Sequence, residues 1–328
     1  MRPADLRPLV SVVITSHNQA HVLPAAVKSA VARAARIQIV VVDDGSTDGT
    51  PAIARGLEAV FLRQPERGTA AARNRGLHAS TGEFVIFLGA ADRLLDGAID
   101  IGVRALTSRP GCAMAYGRAL LAGQDATVRP ARDLPSVRAG HHAALLQTNL
   151  IWTSAMAIFR RDAVQRAGGF VEALDGAAGY DLCLRISRDA TIVDHGCHVV
   201  ISGERPGASS GRAARMLHDT LEVMRRNCPD PQTPLYGAWR EGYARWQDIH
   251  GAQLAAEIRT HLGAGELGEA ARKGWILVTL APRVFVREFS RAPGLVDRGR
   301  QRRMKSVAAA SESSKVPTSA MPSSLSRP

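Results

Sequence analysis

A chain of 328 residues with 45% hydrophobic content is long enough for one large buried core plus an appendage. Its formal charge of +12 rests almost wholly on arginine, since the only lysines are Lys28, Lys273, Lys305 and Lys315, and such a balance suits nucleic acid, anionic lipid or phosphorylated ligands. Aromatic content of 5%, without zinc-finger spacing or interleaved aromatic and basic residues, argues against a nucleic-acid reader.

In chain order, Leu9–Ser16 is a continuous apolar run, the pattern of a strand covered on both faces. A helix is expected from Pro24 to about Ala35, then a second buried strand, Ile37–Asp44, ending in two carboxylates. Thr50 is placed as the cap of a short helix with Pro51 at its first position. "AVFLR" reads as a third strand, Thr69–His78 as a helix and "EFVIFL" as a fourth strand. This alternation predicts a parallel, doubly wound α/β sheet. A helix over Leu95–Thr107 follows, then short elements to about Ser210. Beyond that, helices are expected over Arg212–Arg226, Tyr236–His261 and Gly268–Phe289, the last broken at Pro282. The domain boundaries are set at 1–210, 211–304 and 305–328, the last too poor in apolar residues to order itself.

The four scattered cysteines read as reduced residues of a cytoplasmic protein, and Met1–Pro8 lacks the apolar stretch of a secretory signal. No run of 18 apolar residues is present to span a membrane. "DHGCH", Asp194–His198, has metal-ligand residue types, but on a strand they would alternate between faces.

In open α/β sheets, ligands meet the carboxyl ends of the strands. The first strand delivers Thr15, Ser16, His17 and Asn18, and the second delivers "VVDDGSTDGT", with Asp43, Asp44 and Ser46. A carboxylate there can accept hydrogen bonds from a ring N–H or ribose hydroxyls, and Arg73 in "GTAAARNRG" suits a phosphate or a base edge. Taken alone, "DDGSTDG" is equally a turn feeding a helix cap. Three polar rims in this order point towards nucleotide binding.

Together, "VSVVITSHNQAHVLPAAVKSA", "VVVDDGSTDGT", "GTAAARNRGLHASTGEFVIFL" and "TSAMAIFRRDAVQRAGGF" resemble the family 2 glycosyltransferases with the GT-A fold, over about Leu9 to Ser210. The resemblance implies a Rossmann-like, doubly wound, mostly parallel sheet with a helical C-terminal extension. It also implies sugar transfer, with inversion, from a nucleotide diphosphate donor, usually UDP-linked. Thr15, Asp44 and Arg73 would contact the uracil, with His17, Asn18, Asp43 and Ser46 completing the nucleotide-binding set.

The same resemblance exposes departures. The family's fourth strand ends in Asp-X-Asp-Asp, whose spaced acids hold Mn²⁺ or Mg²⁺ against the departing diphosphate. Here the spaced positions are Gly89 and Ala91, leaving Asp92 alone as a candidate metal ligand. The family's Glu-Asp pair, which carries the base, falls on Ala178 and Gly179, leaving Asp175 and Asp181 as nearby carboxylates. A Tyr-Arg-X-His segment near the phosphates falls on Ser202, Gly203 and, at its His position, Arg205. Loss of a general base costs about 10²- to 10⁴-fold in rate.

Three expectations follow. The first is a degenerate transferase that binds UDP, a UDP-sugar or a partner protein without turnover. The second is an active enzyme of cell-surface polysaccharide or glycolipid synthesis that uses displaced acids, and the third is a scaffold in a polysaccharide assembly complex. Apolar Gly274–Arg291 followed by basic Arg298–Lys305 could also lie on an anionic membrane surface, making the chain peripheral at the inner membrane face; the alternative is packing of that helix on the main domain.

Overall fold

The computed structural model describes residues 10–30, 36–123, 127–131, 135–203 and 212–290. Arg205, the basic cluster Arg298–Lys305 and the tail from Lys305 lie outside the described residues. Among the described residues nine strands form one sheet: β1 Val10–Ser16, β2 Ile37–Asp44, β3 Val60–Gln64, β4 Phe84–Gly89, β5 Arg93–Leu94, β6 Cys112–Ala122, β7 Val128–Pro130, β8 Ala157–Arg160 and β9 Thr191–Ser202. Their order is β3-β2-β1-β4-β8-β6-β9-β5, with β7 added to β6.

β1 pairs in parallel with β2 and β4, and β2 with β3, which is the doubly wound half of the sheet. β8 runs antiparallel between β4 and β6, whereas β6 and β9 are parallel to each other. Every residue of β1 and β4 is buried, which accounts for their unbroken apolar runs.

The layers over the sheet are α1 Leu23–Ser29, α2 Thr50–Arg55, α3 Thr69–Ala79, α4 Ala98–Thr107, α5 His141–Gln147, α6 Arg161–Arg166 and α7 Ala178–Asp189. Small side chains decide how closely α3 lies on β1. Ala70, Ala71 and Ala72 are buried, and a Cβ at Gly76 would stand 2.2 Å from Val13 Cγ1, so only glycine fits there. Phe87 packs edge-on against Phe159 and Phe170, at 5.9 and 4.7 Å between centroids, tying β4 to the later strands.

The remaining helices are α8 Arg212–Arg226, α9 Leu235–Ala264, α10 Leu267–Leu280 and α11 Pro282–Phe289. They dock on the sheet domain through α7 and α5: Trp246 packs edge-on against Tyr180 at 5.8 Å, and Asn227 donates to Asp181 at 3.3 Å. One local expectation is corrected. Thr50 is the first helical residue of α2 and Gly49 its cap, because Asp48 accepts from the Thr50 N–H while the Thr50 hydroxyl accepts from the Gln19 N–H.

Candidate nucleotide and acceptor site

Two cavities lie along the carboxyl ends of β1, β2 and β4 and meet at Thr69, the first residue of α3. The smaller, about 400 Å³, is lined by Thr15, Ser16, His17, Asn18, Asp44, Gly89 and Ala91, among others. The larger, about 540 Å³, is walled by Arg73 and Ser154, by Asp175 to Tyr180 except Ala178, and by α8 and α9.

Asp44 is the organising group of the first cavity. Its Oδ1 accepts from Gln64 Nε2 at 2.8 Å and from the Arg67 N–H at 2.9 Å, and its Oδ2 from the Gly68 N–H at 2.9 Å. Three donors leave about one of a carboxylate's four acceptor sites open to a ligand. The same bonds fix the segment leading into α3, and hence Arg73, whose guanidinium lies 5.3 Å over the Phe170 ring.

The other predicted residues divide between the rim and its support. Thr15, His17 and Asn18 border the cavity. His17 Nδ1 lies 2.6 Å from the Asp44 carbonyl oxygen, so this nitrogen carries the proton. Asn18, at φ 52°, turns its Oδ1 onto the Thr47 N–H at 2.8 Å and the Asp48 N–H at 3.3 Å, locking the two rim loops together. Asp43 and Ser46 are buried beneath the rim and do not line it: Asp43 pairs with Arg63 Nε at 3.1 Å, and Ser46 accepts from the Asn18 N–H at 2.8 Å.

At the turn after β4, Gly89 pairs with Thr15 in extended backbone and Ala91 faces the cavity. Asp92 does not substitute for them. Its side chain is buried, accepts from the Ser202 hydroxyl at 2.7 Å, and is not part of the smaller cavity's lining. A divalent Mn²⁺ or Mg²⁺ needs oxygen ligands that converge on one point. Gly89 and Ala91 have none to offer, and among the described residues no group of three His, Cys, Asp or Glu could hold an ion. That statement covers "DHGCH", where Asp194 is committed to Arg118 at 2.8 and 3.0 Å. The residues present do not fit the family's metal.

The position that the resemblance assigns to the base also carries no acid. Gly179 lies on the wall of the larger cavity, where an added Cβ would sit 2.8 Å from Ser154 Oγ and 4.0 Å from an Arg73 guanidinium nitrogen. Asp181 is buried and ion-paired with Arg185 at 2.7 Å, and it does not reach the cavity. Asp175 does line the cavity, but its Oδ1 accepts from the Ala70 N–H at 2.8 Å, as a cap on the first turn of α3 supplied from a distant segment. Tyr180 is no base either: burial pushes its phenol well above the ordinary value, and its hydroxyl donates to the Leu145 carbonyl at 2.6 Å. Sequence reasoning missed the part α8 and α9 play in this wall. Arg212, Arg215, Trp246 and His250 reach the cavity from helices that follow the sheet, and no motif marks them.

A parallel half-sheet with a nucleotide-sized cavity at its strand ends, continued by mixed strands over a second cavity, is the plan of the GT-A glycosyltransferases. Residues 11–168, just under half of the chain, match the model described as Glycosyl transferase family 2. The O-antigen biosynthesis protein RfbC of Myxococcus xanthus is 32% identical over 202 residues, covering 58% of this chain and 15% of that one. A PGL/p-HBAD biosynthesis glycosyltransferase of Mycobacterium bovis is 38% identical over 97 residues, covering 27% and 38%. With an uncharacterised Nostoc glycosyltransferase the shares are 48% and 52%, so the chain spans about half or less of these relatives. Among solved structures, Staphylococcus aureus TarS 1-349 with UDP-GlcNAc superposes with a TM-score of 0.57 at 16% identity, covering 84% of this chain and 82% of that one. The mannosyltransferase PcManGT of Pyrobaculum calidifontis, with GDP-Man and Mn²⁺, gives 0.55 at 20% identity and the same coverage. These two likenesses concern the fold.

Proposed function

We propose that this chain binds UDP or a UDP-sugar in the paired cavities and that its sugar transfer is impaired or absent. One observation carries the reading: the polar rim around Asp44 lines a cavity, while Gly89, Ala91 and Gly179 fall where the resemblance puts the metal ligands and the base. The nucleotide choice draws support from TarS, solved with UDP and UDP-GlcNAc. The names of the O-antigen and PGL/p-HBAD relatives support a setting in cell-surface polysaccharide or glycolipid synthesis. Calorimetry with UDP tests the binding, and incubation with UDP-sugars tests turnover. Weak binding that Mn²⁺ changes less than tenfold, with no sugar release, is expected; robust turnover by the unmodified chain overturns the impaired reading.

A second reading, an active transferase with a displaced acid, has one observation in its favour. Asp175 is the only carboxylate among the described residues lining the larger cavity. Loss of any measured turnover in Asp175→Asn, with UDP affinity retained, would establish it.

We also propose that the α10–α11 face meets an anionic membrane surface. Leu267, Trp275, Val278 and Val286 are exposed, Trp275 by 74%, and the first three recur at one-face helical spacing. Arg272, Arg283 and Arg287 are exposed nearby, and no described helix is long and apolar enough to cross a membrane. Salt-sensitive sedimentation with anionic vesicles, lost in Trp275→Ala, is expected. Equal binding to neutral vesicles would remove the electrostatic part.

A further inference from the structure

The missing carboxylates leave a problem of charge. Without a metal, something else must offset the phosphates of a donor lying along the two cavities. The turn at Gly89–Ala91 borders the smaller cavity. It also abuts the wall of the larger one, since a Cβ at Gly203 would stand 2.3 Å from the Ala91 carbonyl oxygen, and Ser202 and Gly203 line that larger cavity. A diphosphate leaving the nucleoside cavity at this turn therefore enters a space whose charged lining, among the described residues, is Arg73, Arg212 and Arg215 against the single carboxylate Asp175. Asp175 is already engaged by the Ala70 N–H. Arg212 makes no ion pair with another described residue. Among the described residues Arg215 pairs only with Asp219, at 3.7 Å, and its side chain is 66% exposed, so it can turn to a ligand.

We propose that the donor's diphosphate is held by guanidinium groups, those of Arg212 and Arg215 from α8 together with Arg73, in place of a divalent cation. The chemistry fits. A guanidinium offers several N–H donors in a planar fork that matches phosphate oxygens, and in a recess partly shielded from water such charge-assisted bonds are about twice as strong as neutral ones. The loss of acids at Gly89, Ala91 and Gly179 belongs to the same arrangement, because carboxylates at those places would oppose an anion that no metal bridges. The C-terminal helices thereby become part of the nucleotide site.

The inference rests on the nucleotide reading, and the test separates the two. Uridine, UDP and inorganic pyrophosphate are titrated into the full chain in EDTA and again with Mn²⁺. UDP should bind at least tenfold more tightly than uridine in EDTA. The Arg212→Ala, Arg215→Ala double variant should lose at least tenfold in UDP affinity and leave uridine unchanged. Both positions are exposed, so the fold should be undisturbed, which thermal unfolding checks. Arg212→Lys with Arg215→Lys should recover part of the loss, since charge returns without the fork. Equal UDP affinity in the double alanine variant overturns the proposal, as does a tenfold Mn²⁺ enhancement that survives in that variant. Absence of binding by both uridine and UDP would instead remove the nucleotide reading, and this inference with it.

Discussion

Replacing Asp44 with alanine should damage stability and nucleotide binding together, by amounts the geometry sets. The carboxylate accepts from Gln64 Nε2 and from the Arg67 and Gly68 backbone amides, at 2.8 to 2.9 Å. Stranding a fully buried donor costs about 1–3 kcal/mol. The Gln64 side chain is buried, whereas the two amides are only partly so and recover some hydration. The sum is therefore about 2–5 kcal/mol rather than three full penalties. For a domain of this size, that corresponds to a fall in melting temperature on the order of 10 °C. Asp44→Asn should fall in between, because one side of its amide must present N–H to an N–H. UDP affinity should drop at least tenfold in the alanine variant, about 1.4 kcal/mol, as the acceptor disappears and the segment holding Arg73 loosens. Thermal melts and calorimetry on both variants read the two effects separately. An alanine variant as stable as the parent would refute the pinning argument. A destabilised variant with parental UDP affinity would make Asp44 structural only and remove the central residue of the nucleotide site.

Gly89→Asp with Ala91→Asp should create a Mn²⁺ site and make UDP binding rise at least tenfold with Mn²⁺. Gly89 is not among the left-handed glycines, so its backbone admits the change, and no Mn²⁺ effect in a folded variant would mean the turn has drifted. Adding Ala178→Glu and Gly179→Asp should then give measurable UDP-sugar hydrolysis, in the presence of the metal pair only. The new Cβ at 179 meets Ser154 Oγ at 2.8 Å, so Gly179→Asp should be less stable than Gly179→Asp with Ser154→Ala; equal melting temperatures would refute the crowding. Asp194 is buried, which alone would raise its pKa, but hydrogen bonds from Arg118 and from the Val137 and Gly196 amides outweigh this and hold it below the ordinary carboxylate value. Its contribution is therefore present above the unfolded value, near pH 4, and is lost as pH falls through the depressed folded value. Arg118→Met should cost about 3–5 kcal/mol at neutral pH by stranding that carboxylate. The gap from the parent should narrow towards pH 3, and a gap that persists unchanged there would refute the assignment.

The sequence by itself determined the parallel half of the sheet. Strands covered on both faces need unbroken apolar runs, so Val10–Ser16, Ile37–Asp44 and Phe84–Gly89 were legible without a partner in view. The absence of acids at Gly89, Ala91 and Gly179 was equally legible, because a missing side chain needs no context. Tertiary structure decided which polar residues are free to work. Asp43, Ser46 and Asp92 look like neighbours of Asp44 and Ala91 in the chain, yet each is turned inward onto Arg63, Asn18 or Ser202. Asp175 is drawn off to the first turn of α3 by an amide 105 positions away, and Asp181 by Arg185 and Asn227. Two of the described cations lining the larger cavity, Arg212 and Arg215, come from α8, a helix without a motif, and the third, Arg73, from α3. A carboxylate's role is set by which donors surround it and on which side of the backbone it emerges, and those donors arrive from segments that only folding brings together.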